Sequence, residues 1–165
     1  MAPVKNKNRP PTFLILITFL SYMGILFYVT FFAWNYGSSF GPAGPGGRNY
    51  NLDPFLSIYR IAVFSDNWGA PFRILVGNVL LFIPFGFLFP FVIHRIKKSK
   101  QATSFFLTIF LAMLLSIFIE VSQFLFTFRV ANIDDVILNT LGGIIGATCY
   151  RVGVIIKLNF KNNIR

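Results

Sequence analysis

Four apolar stretches, each long enough to cross a bilayer, divide the chain. Residues 12–34 run 23 positions without a charged side chain, and residues 74–93 run 20. Residues 102–128 carry one charge, Glu120; residues 133–156 open on Asp134 and Asp135 and carry Arg151 near their end. About 20 mostly apolar helical residues cover about 30 Å of hydrocarbon. Lipid offers no partner to backbone N–H and C=O groups, so such stretches must be helical. The pattern predicts an all-α integral membrane protein: a four-transmembrane-helix bundle with spans at about 12–34, 74–94, 102–128 and 133–156, forming a single domain over residues 1–165. Lys5, Lys7 and Arg9 precede the first stretch, but it is too long for a signal peptide and no small-x-small cleavage site follows it. A retained helix is expected.

The segment between the first two spans, residues 35–73, changes character halfway. Gly37 to Gly47 is rich in Gly and Pro, which predicts no regular structure. After it, Phe55, Ile58, Tyr59, Ala62 and Val63 recur at helical spacing, with Ser57 and Arg60 between them. Two outcomes fit that spacing: an interfacial helix lying against the outer leaflet, or a loop collapsed onto the bundle.

Composition agrees with the spans. Of the 165 residues 55% are hydrophobic and only 12% charged, against about 25% charged in soluble domains. The single cysteine, Cys149, excludes a disulfide scaffold. The 15 Lys and Arg residues outnumber the 5 Asp and Glu, for a net charge of +10. They are spread over helix ends rather than gathered on one water-facing module, which argues against nucleic acid as a partner. In a four-span arrangement, Lys5, Lys7, Arg9, Arg95, Lys97, Lys98, Lys100, Arg151, Lys157, Lys161 and Arg165 fall on one side. Only Arg48, Arg60, Arg73 and Arg129 fall on the other. The positive-inside asymmetry puts the richer side, and both termini, in the cytoplasm.

With that orientation, Arg73, Asn78, Glu120, Gln123, Arg129, Asp134, Asp135 and Asn139 lie at one level, the outer third of the membrane. Glu120 and Gln123 are spaced i, i+3, and Asp135 and Asn139 i, i+4, so each pair shares a helix face. Ionisable groups at this depth are costly and usually face the bundle interior. The cluster reads either as an outward-opening ligand site or as an ion-pair network, Glu120 or Asp135 with Arg129 or Arg73, that fixes helix register. Asp134 also suits a role at the N-terminus of its own helix, where an acid caps free N–H groups. Glu120 and Asp135 are the candidates for general acid or base. There is no nucleophile motif, phosphate loop or zinc-ligand spacing, since His94 and Cys149 stand alone. No metal and no cofactor are expected. Gly142-x-x-x-Gly146 continues the stripe of Asp135 and Asn139 and predicts a close-packed helix face. Pro84 and Pro90 predict a kink or an interruption in the second span.

Three blocks carry a resemblance. Asn51-Leu52-Asp53-Pro54-Phe55 is similar to an Asn-Leu-x-Pro-Phe motif. Gly77-Asn78-Val79-Leu80-Leu81-Phe82-Ile83-Pro84-Phe85-Gly86 is similar to Asn-x-x-x-Phe-x-Pro-x-Gly. The third comprises Glu120-Val121-Ser122-Gln123, Arg129, and the run from Ile133 through Asp134, Asp135 and Asn139 to Gly142 and Gly143. Together, over about residues 50–146, these blocks resemble the VanZ-like family of bacterial membrane proteins. Asn132 departs from the Asp-x-Asp-Asp pattern of many members, which weakens any metal site needing that carboxylate. The resemblance implies a multi-pass protein of the bacterial cytoplasmic membrane, related to one that confers resistance to the glycopeptide teicoplanin. Its implied surroundings are the lipid bilayer, with a cell-wall lipid intermediate or the glycopeptide as ligand at the outer leaflet. It implies no settled activity and no oligomeric state. Two other roles stay open: an intramembrane enzyme acting on a lipid-linked envelope substrate, with Glu120 as acid or base and Arg73 or Arg129 holding a phosphate, and a structural partner or small transporter component.

Overall fold

Each apolar stretch folds as a helix. A computed structural model describes residues 11–32, 50–65, 69–97, 103–126 and 130–163. In chain order the elements are α1 (Thr12–Phe31), β1 (Tyr50–Asn51), α2 (Leu56–Phe64), α3 (Gly69–Lys97), α4 (Phe105–Phe126), β2 (Ala131–Asn132) and α5 (Ile133–Asn163). Four of the helices are long and apolar enough to cross a membrane, over Thr12–Phe31, Phe72–Lys97, Phe105–Phe126 and Ile133–Ile156. α3 begins at Gly69, inside the segment read from sequence as loop, and α5 continues to Asn163. The limits of an apolar run mark the hydrocarbon, while a helix can extend further through polar residues that meet headgroups and water.

Cross-helix contacts fix the directions. The Tyr22 hydroxyl donates to the Leu81 carbonyl at 2.9 Å, while Phe19 packs against Phe85 and Phe89 with ring centroids 6.3 and 6.4 Å apart. α1 therefore runs antiparallel to α3. Gly142 faces Val79 and Gly146 faces Ile83, so α5 runs parallel to α3. Ala112 lies against Gly143, and Asn139 bonds Ser116, so α4 runs antiparallel to α5. The result is an up-down-up-down bundle. The starts of α1 and α4 and the ends of α3 and α5 share one end.

The tightest pairing is α3 on α5. A Cβ on Gly142 would strike the Val79 carbonyl oxygen, one on Gly146 that of Ile83, and one on Gly86 that of Gly143. Lipid tails are as apolar as Leu, so helices in a bilayer gain little from hiding apolar side chains from it. Close backbone approach, with the dispersion contacts it allows, holds them together instead. The core comprises Leu26, Phe82, Phe85, Ala112 and Ile119, drawn from α1, α3 and α4. Outside it, Leu20, Ile25, Phe118, Val121 and Ile155 are exposed, as a lipid-facing surface requires.

α3 runs unbroken through Pro84 and Pro90, so the interruption allowed for from the sequence does not occur. The carbonyls that these prolines leave without a helical donor are those of Leu80 and Gly86, and two neighbours donate to other carbonyls of α3. The Tyr22 hydroxyl serves Leu81 in the turn before Pro84, and the Thr103 hydroxyl serves the Pro90 carbonyl at 3.2 Å. Of the two outcomes for residues 55–63, the helix forms, as α2. The two-residue parallel pairing of β1 with β2, Tyr50 with Ala131 and Asn51 with Asn132, has no counterpart in the sequence reading.

Gly142→Val and Gly146→Val should each destabilise the bundle by roughly 1–3 kcal/mol, because the added methyl groups meet backbone that cannot turn aside. Gly24→Ala, where a Cβ meets nothing within 4 Å, should instead be neutral or stabilising. Unfolding of the purified protein in detergent measures both.

Candidate functional site

Asp134 lies in the first turn of α5 and is 1% exposed. Its carboxylate caps a helix, but not its own. Oδ1 accepts the backbone N–H of Phe55, and Oδ2 accepts those of Ser57 and Ile58 at 2.8 and 3.1 Å. These are donors that the first turn of any helix leaves without an intrahelical acceptor. α2 has nine residues and no capping side chain at its own N-cap position, so a carboxylate from α5 does that work. The expectation that Asp134 caps α5 is corrected accordingly. That role falls to Asn132, whose Oδ1 accepts the Asp134 N–H at 3.2 Å.

The chain enters α2 through a tight turn. The Leu56 N–H donates to the Asp53 carbonyl at 3.3 Å, with Pro54 and Phe55 between them. Phe55 has φ 65° and ψ 0°, the third position of a type II turn. A non-glycine residue there costs roughly 1–2 kcal/mol. The Asp134 bond to the Phe55 N–H holds the strained residue in place.

Asn132 joins the remaining elements. Its N–H donates to Glu120 Oε2 at 2.7 Å. Its Oδ1 also accepts from Asn51 Nδ2 at 3.1 Å and from the Ser57 hydroxyl at 3.3 Å. Its Nδ2 donates to Asp135 Oδ1 at 3.4 Å, the same oxygen that accepts from Asn78 Nδ2 at 2.8 Å. An aspartate at this position would lose the Nδ2 donor and set another carboxylate between Glu120 and Asp135.

Four of the eight candidates from sequence, Asn78, Glu120, Asp134 and Asp135, therefore meet at one node with Asn51, Ser57 and Asn132. Gln123 is buried and donates to the Thr30 carbonyl at 2.6 Å, tying α4 to α1. Asn139 is buried and donates to Ser116 at 2.9 Å, tying α5 to α4. Arg73 is exposed, and its Nε donates to the Gly69 carbonyl on its own helix at 3.2 Å. Arg129 lies outside the described residues. Pro54 belongs to the strained turn, Pro84 lies inside α3, and Gly86, Gly142, Gly143 and Gly146 belong to the α3–α5 contact. No group of three or more His, Cys, Asp and Glu side chains suited to a metal occurs among the described residues. Asn132, Ser57, Thr30 and Ser116 escaped sequence reasoning as participants. For Asn132 a signal existed, since Asn directly before an apolar helix is an N-cap signature.

Beside the node lies a cavity of about 370 Å³, bounded by Tyr50, Leu52, Ile117, Glu120, Val121, Phe124, Ala131, Asn132, Ile133 and Val136. Tyr50 meets Phe124 edge-on at 6.2 Å. The surface it offers is almost wholly carbon, and its size falls in the range of small-molecule sites, about 300–1,000 Å³.

Asp134→Ala should uncap α2 and cost about 1–2 kcal/mol. Hydrogen exchange at the amides of Phe55, Ser57 and Ile58 should accelerate, while exchange in the middle of α4 stays unchanged.

The family described as VanZ/LLP1 matches residues 19–157. Protein VanZ of Enterococcus faecium is 32% identical over 103 residues, covering 62% of this chain and 53% of the relative. The chain thus spans about half the length of that curated relative. No solved structure matches. With residues 19–157 matched, the chain belongs to the VanZ/LLP1 family.

Proposed function

We propose that this protein is a multi-pass protein of the bacterial cytoplasmic membrane that lowers susceptibility to glycopeptide antibiotics such as teicoplanin. Both termini lie in the cytoplasm. The protein acts at the outer leaflet, on a cell-wall lipid intermediate or on the drug. The observation that carries this reading is the meeting of the three blocks at a polar node on one end of the bundle. Arg95, Lys97 and Arg151 mark the other end, and the positive-inside asymmetry makes that end cytoplasmic. Membership of the VanZ/LLP1 family and the likeness to Protein VanZ support the link to glycopeptides.

Two measurements test it. In a Cys149→Ser background, a cysteine at Leu52 should react with an impermeant maleimide on intact cells, and one at Ile96 should not; the opposite pattern overturns the orientation. Glu120→Gln, Asp135→Asn and Arg129→Ala, at matched membrane levels, should return teicoplanin susceptibility to that of cells lacking the protein. Unchanged resistance in both Glu120→Gln and Asp135→Asn removes the polar node from the function.

A further inference from the structure

We infer that the cavity beside the node is a lateral slot for the acyl chain of a lipid of the surrounding leaflet. One wall is α4, with Ile117, Val121 and Phe124; the other is built by Tyr50 and Leu52. Three observations carry the inference. First, the slot offers carbon, although a carboxylate and an amide stand beside it. The Glu120 carboxylate accepts the Asn132 N–H at 2.7 Å, and the Asn132 side chain bonds Asn51, Ser57 and Asp135. A polar headgroup would be stripped of water there without recompense, whereas an alkyl chain would not. Second, the slot is continuous with the exposed apolar face of α4, where Leu114, Ile117, Phe118, Val121 and Leu125 stand 39–58% exposed. On a helix of a membrane bundle that face meets acyl chains, so a chain enters sideways without crossing water. Third, the far wall exists only because the node holds it. The β1–β2 pairing and the Asp134 clamp on α2 keep Tyr50 and Leu52 in position. Asp134, Asn132 and Asn51 are thus positioning residues for an apolar site.

The inference deepens the proposed function by naming a ligand class, and it rests on that reading only for its consequence in cells. The test uses full-length protein in detergent micelles, incubated with a phosphatidylglycerol carrying a diazirine in its acyl chain, photolysed and mapped by peptide mass spectrometry. Saturable labelling of residues 117–124 and 131–136 is expected, above that of the lipid-facing α1 residues Leu20 and Ile25. Ile117→Trp and Val121→Trp place an indole in the slot from surface-exposed positions that folding tolerates. Each should lower slot labelling by about tenfold, because the burial of methylene groups drives binding. Asp134→Asn should lower it as well, by loosening the far wall. Leu20→Trp should leave it unchanged. Labelling that does not saturate, that spreads equally over α1, or that survives both indoles overturns the inference. So does occupancy by a second copy of the chain or by the chain's own residues 35–49, read as cross-links to those segments. If the slot labels as expected but Ile117→Trp leaves teicoplanin resistance unchanged, the inference stands and the functional reading at this site fails.

Discussion

One carboxylate organises the polar end of this bundle. Asp134 sits where apolar helices stop and a connecting segment must dock, and it takes up the backbone N–H of Phe55, just before α2, and those of Ser57 and Ile58 within it. A short helix has free donors at its start wherever it lies, and at the edge of a bilayer those donors are expensive to leave unmet. Satisfying them from α5 makes the fold of the connecting segment conditional on the fold of the bundle. The strained Phe55 and the pairing of Tyr50 and Asn51 with Ala131 and Asn132 depend on the same attachment.

The second constraint lies one layer deeper. For Asp134 and Asp135 to reach Ser57 and Asn78, the start of α5 must lie close against α3. The backbone contact between Gly142, Gly146 and the stretch of α3 from Val79 to Phe87 provides that closeness. The glycine stripe and the acids therefore form one device, with dispersion along the helices and hydrogen bonds at their end. Asn139 and Gln123, each engaged with a neighbouring helix, extend the hydrogen bonding into the bundle.

From sequence the polar residues fitted either an outward-opening site or a network that fixes helix register. In the fold, much of their hydrogen-bonding capacity is spent on one another and on backbone donors, and the space beside them is lined with carbon. This divides the labour: the polar side chains hold a wall, and the wall bounds a cavity. Asn132 shows how such a division stays hidden. Its identity reads as a departure from an acidic pattern, yet its amide, both donor and acceptor, lets it bridge Glu120, Asp135, Asn51 and Ser57 at once.

The four long apolar helices and the close-packed face of α5 were legible in the sequence because each follows from a local rule: a length of apolar residues, a backbone that must bond to itself, a glycine every fourth position. So was the grouping of Asn78, Glu120, Asp134 and Asp135 at one end, since position along a helix is a matter of counting. The partners of those residues were not legible. Which N–H groups Asp134 accepts, and that Asn132 stands at the crossing of β1, α2, α4 and α5, depend on segments far apart in sequence being brought within 3 Å or so of each other. Only tertiary packing decides this, because periodicity reports the face a residue occupies and carries no information about what the rest of the chain lays against it.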